Sequence, residues 1–211
     1  MFNQAIGGAP LNLMWALTSG DIGYQATCKY PIRKNKVIAG AYPKKGHLAD
    51  NAWQGFVPLS ELPYSINPEK GWLANGNNFV TSKNDKHGIS HSFTYQHRVV
   101  RIGEMLDQIK QRKAQGGSSA TVEDMKVMQF DTLDIQARDS MPDMMAVVGK
   151  AMGSTRLAAV DKKRVSLAKE IFSTWDFRFS VDSSAAAIFM AWEHAMANLM
   201  HETKIKGVRG R

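Results

Sequence analysis

The sequence predicts an α+β fold, in which a β-hairpin and turns come first and helices follow from about residue 98. Prolines and glycines separate short extended segments in the first hundred residues, and apolar residues then recur at helical spacing. The composition, with 44% hydrophobic and 22% charged residues, is that of an ordinary globular chain. It excludes collagen-like, coiled-coil and disordered chains, and 211 residues are enough for one sizeable core or two small ones.

The first part of the chain is rich in strands and turns. Residues 12–17 and 22–28 contain β-forming residues on either side of Ser19-Gly20-Asp21, which predicts a hairpin. Five prolines between residues 31 and 68 then allow only short extended pieces and turns. The single cysteine, Cys28, cannot form an internal disulfide and is interpreted as a small strand residue.

Helical periodicity begins after Arg98. Apolar residues between Val99 and Ile109 recur at i, i+3, i+4 and i+7, and Gly116-Gly117 supplies a stop. Thr121 is the expected N-cap of a helix that runs through Met128. Further helices are predicted over residues 142–152, 162–172 and 183–200. The last of these has one apolar face, which predicts burial on that side: Ile188, Phe189, Trp192, Ala195, Met196 and Leu199.

The net charge of +8 is spread over three distant clusters, at residues 34–45, 162–164 and 201–211. A nucleic-acid surface gathers its cations on one face with aromatic stacking partners between them, so we expect solvated surfaces and no nucleic-acid partner. The alternative is a non-enzymatic basic domain that binds acidic partners.

No membrane partner is expected either. The longest apolar run, residues 185–200, is interrupted by Glu193 and His194 and is shorter than the roughly 20 residues that span a bilayer. Residues 1–17 lack the cationic start and the cleavage site of a signal peptide.

Three motifs invite a chemical interpretation. His87 and His91 have the spacing of a zinc-binding pair, but Gly88 stands where a zincin has its glutamate, which favours a polar loop. Ser166 and Lys169 match a Ser-x-x-Lys skeleton without its companion motifs, which favours a helix surface. The asparagine-rich run Asn75-Gly-Asn77-Asn78 is typical of turns and caps, and the alternative is an active-site loop whose amides donate into a cleft.

An ordered set of motifs resembles the middle of the β-chain of the penicillin acylase family of N-terminal nucleophile hydrolases. The motifs are Trp15, Gly20-Asp-Ile-Gly-Tyr24, Tyr30-Pro-Ile-Arg33, Trp53-Gln-Gly55, Asn67-Pro68, Gly71-Trp-Leu-Ala-Asn75-Gly-Asn77-Asn78, Arg98-Val99 with Ile102, Trp175-Asp176 and the helix with Trp192. One departure is Cys28, which stands where the family usually has a glycine.

The resemblance implies part of a four-layer αββα sandwich. It divides one acylase domain fragment, residues 1–211, into a strand- and turn-rich part (1–97), a helical part (98–202) and a basic tail (203–211). It implies hydrolysis of a non-peptide acyl amide by an N-terminal serine through an acyl-enzyme. In the family that serine lies upstream of the matched segment, so this chain is expected to lack the nucleophile and to be inactive alone.

The resemblance also implies partners and site residues. The substrate would be a small acylated amine or lactone, the partners would be the remaining parts of the α- and β-chains, and the location would be periplasmic or secreted. Asn77 would donate into the oxyanion hole and Arg98 would orient the site. No cofactor is needed for the chemistry, but many members hold structural calcium partly through the loop matching residues 79–96, where Asp85 is the candidate ligand.

Overall fold

The computed structural model describes residues 11–34, 42–81, 86–89, 95–155 and 158–209. Asp85, His91 and Lys36 lie outside the described residues. The chain divides into two compact units, Met1–Gln108 and Ile109–Arg211. The division falls inside a helix, ten residues beyond the change in sequence texture near residue 98.

Among the described residues of the first unit, five short strands form two small antiparallel sheets. The strands are β1 (Leu11–Ala16), β2 (Ile22–Thr27), β3 (Pro31–Arg33), β4 (Trp53–Phe56) and β5 (Tyr64–Ile66). One sheet has the order β1-β2-β5, with Met14 opposite Tyr24, and the other pairs β3 with β4. Gly20, with φ of +95°, makes the turn between β1 and β2, so the predicted hairpin is confirmed.

The core of the first unit lies on one face of the three-stranded sheet. Its buried side chains are Tyr24, Ala26, Val57 and Leu62, and Tyr30, Ile32 and Leu73 are packed against them. Cys28 does not belong to a strand, because β2 ends at Thr27 and Cys28 has φ of +104°. This left-handed backbone favours glycine, so the interpretation of Cys28 as a small strand residue is wrong.

Helix α1 (His97–Ala114) begins at the predicted position and ends in the predicted glycines. Gly116 adopts φ of +85°, and the Gly117 N–H donates to the Arg112 carbonyl at 3.0 Å, as in a helix-terminating motif. Trp72 lies across the buried Gly103 of α1, and its Nε1 donates to Asp107 Oδ1 at 2.7 Å. The segment before the asparagine run is therefore tied to α1.

The second unit consists of helices: α2 (Val122–Gln129), α3 (Ile135–Met152), α4 (Ala159–Ser173) and α5 (Ser184–Arg209). Thr121 caps α2 as predicted, in a reciprocal capping box with Asp124. The core joins Ala137, Met141 and Met144 of α3 to Phe172 of α4 and Phe189 of α5. Trp175 packs against these side chains with several other aromatic rings.

The predicted start of α3 is wrong. Helix α3 begins at Ile135, not at Pro142, because the Asp134 carboxylate accepts from the Ala137 N–H at 2.7 Å and caps it there. Pro142 lies inside the helix, where burial of Ile135, Ala137, Met141 and Met144 offsets the missing hydrogen bond.

The apolar face of α5 is only partly buried. Phe189 is 1% exposed, but Met196 and Leu199 are 38% and 57% exposed, because the described core reaches only as far as Trp192. The helical backbone continues through the predicted basic tail to Arg209. Among the described residues, no helix has the length and apolar character needed to cross a bilayer.

Candidate active site

Asn75, Gly76, Asn77 and Asn78 form a tight turn, here called the asparagine loop, against the first turn of α1. Gly76 is buried, and a Cβ on it would lie 3.1 Å from the Val99 nitrogen and 3.3 Å from Arg98 Cβ. A side chain larger than hydrogen would therefore push the loop away from α1. Asn77, at φ of +60°, occupies the left-handed region that asparagine tolerates better than most residues.

Arg98 holds the asparagine loop from α1. Its Nη2 donates to the Gly76 carbonyl at 2.7 Å and to Asn77 Oδ1 at 2.8 Å. Because the guanidinium takes the amide oxygen, the Asn77 Nδ2 group points away from Arg98. Asn77 is exposed, and no acceptor for its Nδ2 occurs among the residues that the structure describes. The two residues predicted as a site are thus in direct contact.

Asn78 faces its own backbone instead. Its Oδ1 accepts from the Gly76 N–H at 3.0 Å and its Nδ2 donates to the Phe79 carbonyl at 3.0 Å. Both ends of this amide are used within the turn. The structure therefore distinguishes an outward amide, Asn77, from an inward one, Asn78.

Asn75 holds Asn77 through a hydrogen bond to its backbone N–H. Its Oδ1 accepts the Asn77 N–H at 2.9 Å and also accepts from Asn12 Nδ2 at 3.2 Å. The Tyr24 hydroxyl donates to Asn12 Oδ1 at 2.6 Å. Sequence reasoning missed Asn12 and Tyr24; the one available signal was a tyrosine on a buried strand face, whose hydroxyl needs a partner.

The expected calcium ligand lies outside the residues that the structure describes. No three His, Cys, Asp or Glu side chains lie together in the part of the chain that the structure describes, and Asp85 is outside it. Structural calcium therefore stays a prediction, with Asp85 as its candidate ligand. His87 contacts a carboxylate, with its Nε2 2.6 Å from Glu61 Oε2. Hydrogen bonds from Lys86 and then His87 hold the pKa of Glu61 below its usual value.

The arrangement is suited to stabilising a developing negative charge. Asn77 presents a neutral N–H donor on an exposed edge, and its orientation is set by a cation behind it and by a backbone hydrogen bond. A donor fixed before reaction does not need to reorganise when an oxyanion forms. This is the function of an oxyanion hole in acyl transfer.

The chain is similar to known acylases over most of its length. The penicillin amidase family model matches residues 3–209. Acyl-homoserine lactone acylase QuiP of Pseudomonas aeruginosa is 26% identical over 199 residues, which are 92% of this chain and 22% of that protein. Penicillin acylase 2 proenzyme of Pseudomonas sp. strain SE83 is 23% identical over 192 residues, 90% of this chain and 22% of the proenzyme.

A solved structure shows the same fold. The thermostable penicillin G acylase from Alcaligenes faecalis has a TM-score of 0.54 and 21% sequence identity, covering 83% of this chain and 29% of that one. This likeness confirms the predicted fold class. The chain spans about a fifth of the length of the curated relatives it matches. With nearly all of its residues matched by the family model, the chain belongs to the penicillin amidase family.

Proposed function

We propose that this chain is a segment of a longer acylase, to which it contributes the side-chain donor of the oxyanion hole. The observation that carries the proposal is the contact of Arg98 with Asn77 Oδ1, which leaves the Asn77 Nδ2 group facing outward. Family membership supports the same assignment. The substrate class is a small acylated amine or lactone, in keeping with relatives named acyl-homoserine lactone acylase and penicillin acylase.

The reaction proceeds by acyl transfer. A serine at the N-terminus of the β-chain attacks the acyl carbonyl, and its own α-amino group takes the hydroxyl proton. The α-ammonium then gives this proton to the amide nitrogen, and the C–N bond of the tetrahedral intermediate breaks to release the amine and leave the acyl-enzyme. Asn77 Nδ2 donates to the oxygen of that intermediate. Water then hydrolyses the acyl-enzyme through a second oxyanion at the same donor.

The serine belongs to another part of the longer protein, as the family resemblance implies. The remaining parts of the α- and β-chains would supply it together with the pocket for the acyl group. We place the whole enzyme in the periplasm or outside the cell on the same resemblance. The 211-residue chain alone is then an inactive segment.

The test compares the natural gene product with the isolated 211-residue chain. Each is incubated with an N-acyl homoserine lactone and with a chromogenic phenylacetyl anilide, and free amine is measured. We expect hydrolysis by the gene product and none by the chain. Turnover by the isolated chain that survives repurification would refute the proposal that the nucleophilic serine lies elsewhere in the longer protein. A gene product that is inactive on both substrates would refute the acylase assignment.

A further inference from the structure

A chain of side-chain hydrogen bonds connects the core of the first unit to Asn77. The Tyr24 hydroxyl donates to Asn12 Oδ1 at 2.6 Å, and Asn12 Nδ2 donates to Asn75 Oδ1 at 3.2 Å. Asn75 Oδ1 also accepts the backbone N–H of Asn77 at 2.9 Å. The side chains of Tyr24, Asn12 and Asn75 thus form a hydrogen-bonded series that ends at the backbone N–H of Asn77.

Packing in the core holds Tyr24, the residue at which this series of hydrogen bonds begins. Tyr24 is 8% exposed and lies in the core with Ala26, Val57 and Leu62. It pairs with Met14 across the hairpin, so Asn12, two residues along β1, shares its face of the sheet. The ring is therefore held in place, and its hydroxyl lies 2.6 Å from Asn12 Oδ1 on the same face.

The direction of the hydrogen bonds follows from the chemistry of the tyrosine. Burial, and secondarily Tyr30, raises the pKa of Tyr24 to about 12, so the hydroxyl remains a donor at neutral pH. Asn12 accepts through its oxygen and must then donate through its nitrogen. Asn75 consequently presents its oxygen to both Asn12 and the Asn77 N–H.

Asn77 needs such support because its backbone is in a sparsely populated region. A φ of +60° is less favourable for a residue with a side chain than for glycine, and the surrounding structure must hold it. Arg98 holds the side-chain oxygen, and Asn75 holds the backbone nitrogen. Together the two contacts define the direction of Nδ2.

We propose that Tyr24 and Asn12 are positioning residues, which act through Asn75 to hold Asn77 in the conformation that aims its Nδ2 at the oxyanion. This inference rests on the proposed function for its kinetic consequence. Its structural part, the restraint on the Asn77 backbone, does not depend on activity. The two parts are therefore tested separately.

The kinetic test uses Tyr24→Phe in the natural gene product. Loss of one hydrogen bond in the chain should lower kcat about 2- to 12-fold with KM nearly unchanged. In an Asn77→Ala background the same substitution should cause no further loss, because Tyr24 acts through Asn77. The matched control is Tyr30→Phe, which packs on the same core but whose hydroxyl bonds to no described residue, and it should leave kcat unchanged.

The structural test is hydrogen exchange of the Asn77 amide in the same gene product, read by mass spectrometry on peptides covering residues 73–79. We expect faster exchange in Tyr24→Phe than in the wild type or in Tyr30→Phe. Unchanged exchange would overturn the proposal, as would a kcat loss that persists in full with Asn77→Ala. If the wild type hydrolyses no acyl amide, the proposed function fails, and the exchange measurement still decides whether Tyr24 restrains Asn77.

Discussion

Asn77 and Asn78 are chemically identical neighbours whose amides are directed to different partners. Asn77 gives its oxygen to Arg98 and keeps its nitrogen outward, whereas Asn78 uses both of its amide atoms on the backbone of the turn. Gly76 lets the turn lie close to α1, because a Cβ there would force the start of α1 to shift by a few tenths of an ångström. One amide is therefore assigned to chemistry and the other to the stability of the turn.

Replacing Asn78 should affect stability more than catalysis. Asn78→Ala leaves the buried Gly76 N–H without its acceptor, which costs about 1 to 3 kcal/mol. We expect a lower Tm by calorimetry and a kcat close to that of the wild type. Asn198→Ala, on the exposed face of α5, is the control and should leave the Tm almost unchanged. A large fall in kcat without a change in Tm would reverse the assignment of the two asparagines.

The site was only partly predictable from sequence. Asn77 and Arg98 could be predicted because the asparagine motif and the Arg-Val pair resemble those of the family, and the structure brings the two residues together. Their roles stay predictions until the variants are measured. Asn12 could not be predicted, because its bond to Asn75 spans 63 positions and depends on how the hairpin meets the loop. The positive φ of Cys28 could not be predicted either, because it depends on the direction in which the chain leaves β2 after Thr27.

The contact between Trp72 and α1 makes a prediction about two helical glycines. A Cβ on Gly103 would lie 2.9 Å from the Trp72 ring, which is held by Asp107, whereas nothing lies within 4 Å of a Cβ on Gly149 in α3. Gly103→Ala should lose about 1 to 3 kcal/mol to overpacking. Gly149→Ala should gain about 0.5 to 1 kcal/mol from helix propensity. Urea unfolding of both variants checks the two signs, and a stabilised Gly103→Ala would show that Trp72 moves freely.

The ion pair of Arg112 with Asp124 at the start of α2 should make the folding stability of the second unit sensitive to acid. Arg112 binds both oxygens of Asp124, at 2.8 and 2.7 Å, and together with Thr121 it holds the pKa of Asp124 well below its usual range. Because the pKa is lower in the folded state, the stabilisation is complete above the unfolded value of about 3.9 and is lost as the pH falls further.

The measurement is the Tm of wild type and Asp124→Asn between pH 7 and pH 2. The variant should melt at a lower temperature at pH 7, and the difference should shrink as the pH drops below about 4. Asp139→Asn, on an exposed ion pair of α3, is the control and should show little effect at either pH. A difference that is constant with pH would contradict the ionic role of Asp124.

The end of a helix can be predicted from sequence where a local cap or stop determines it. The prediction fails where packing in the core determines how far the helix, or its buried face, extends. The stop at Gly116 and the cap at Thr121 are local, and both are confirmed. The sequence pattern predicts a start at Pro142, but burial of the residues around it extends α3 back to Ile135, with Asp134 as its cap. The apolar stripe of α5 predicted burial as far as Leu199, yet the described core does not extend that far.

The net charge of the whole chain should not make it a nucleic-acid binder. We expect a labelled DNA duplex to bind no more tightly than the non-specific range of about 10⁻⁴ to 10⁻⁶ M at physiological salt, measured by fluorescence anisotropy. Its salt dependence should be that of counterion release alone. Tight binding that disappears when residues 204–211 are deleted would favour the basic-domain alternative.

The role of Asn77 as the oxyanion donor of an acylase is tested most directly by the kinetics of Asn77→Ala in the natural gene product. Such a donor meets a charge that exists only in the transition state, so its loss lowers kcat more than it changes KM. We expect kcat to fall by about 10² to 10³ with KM nearly constant. A kcat close to that of the wild type would show that Asn77 does not donate to the oxyanion.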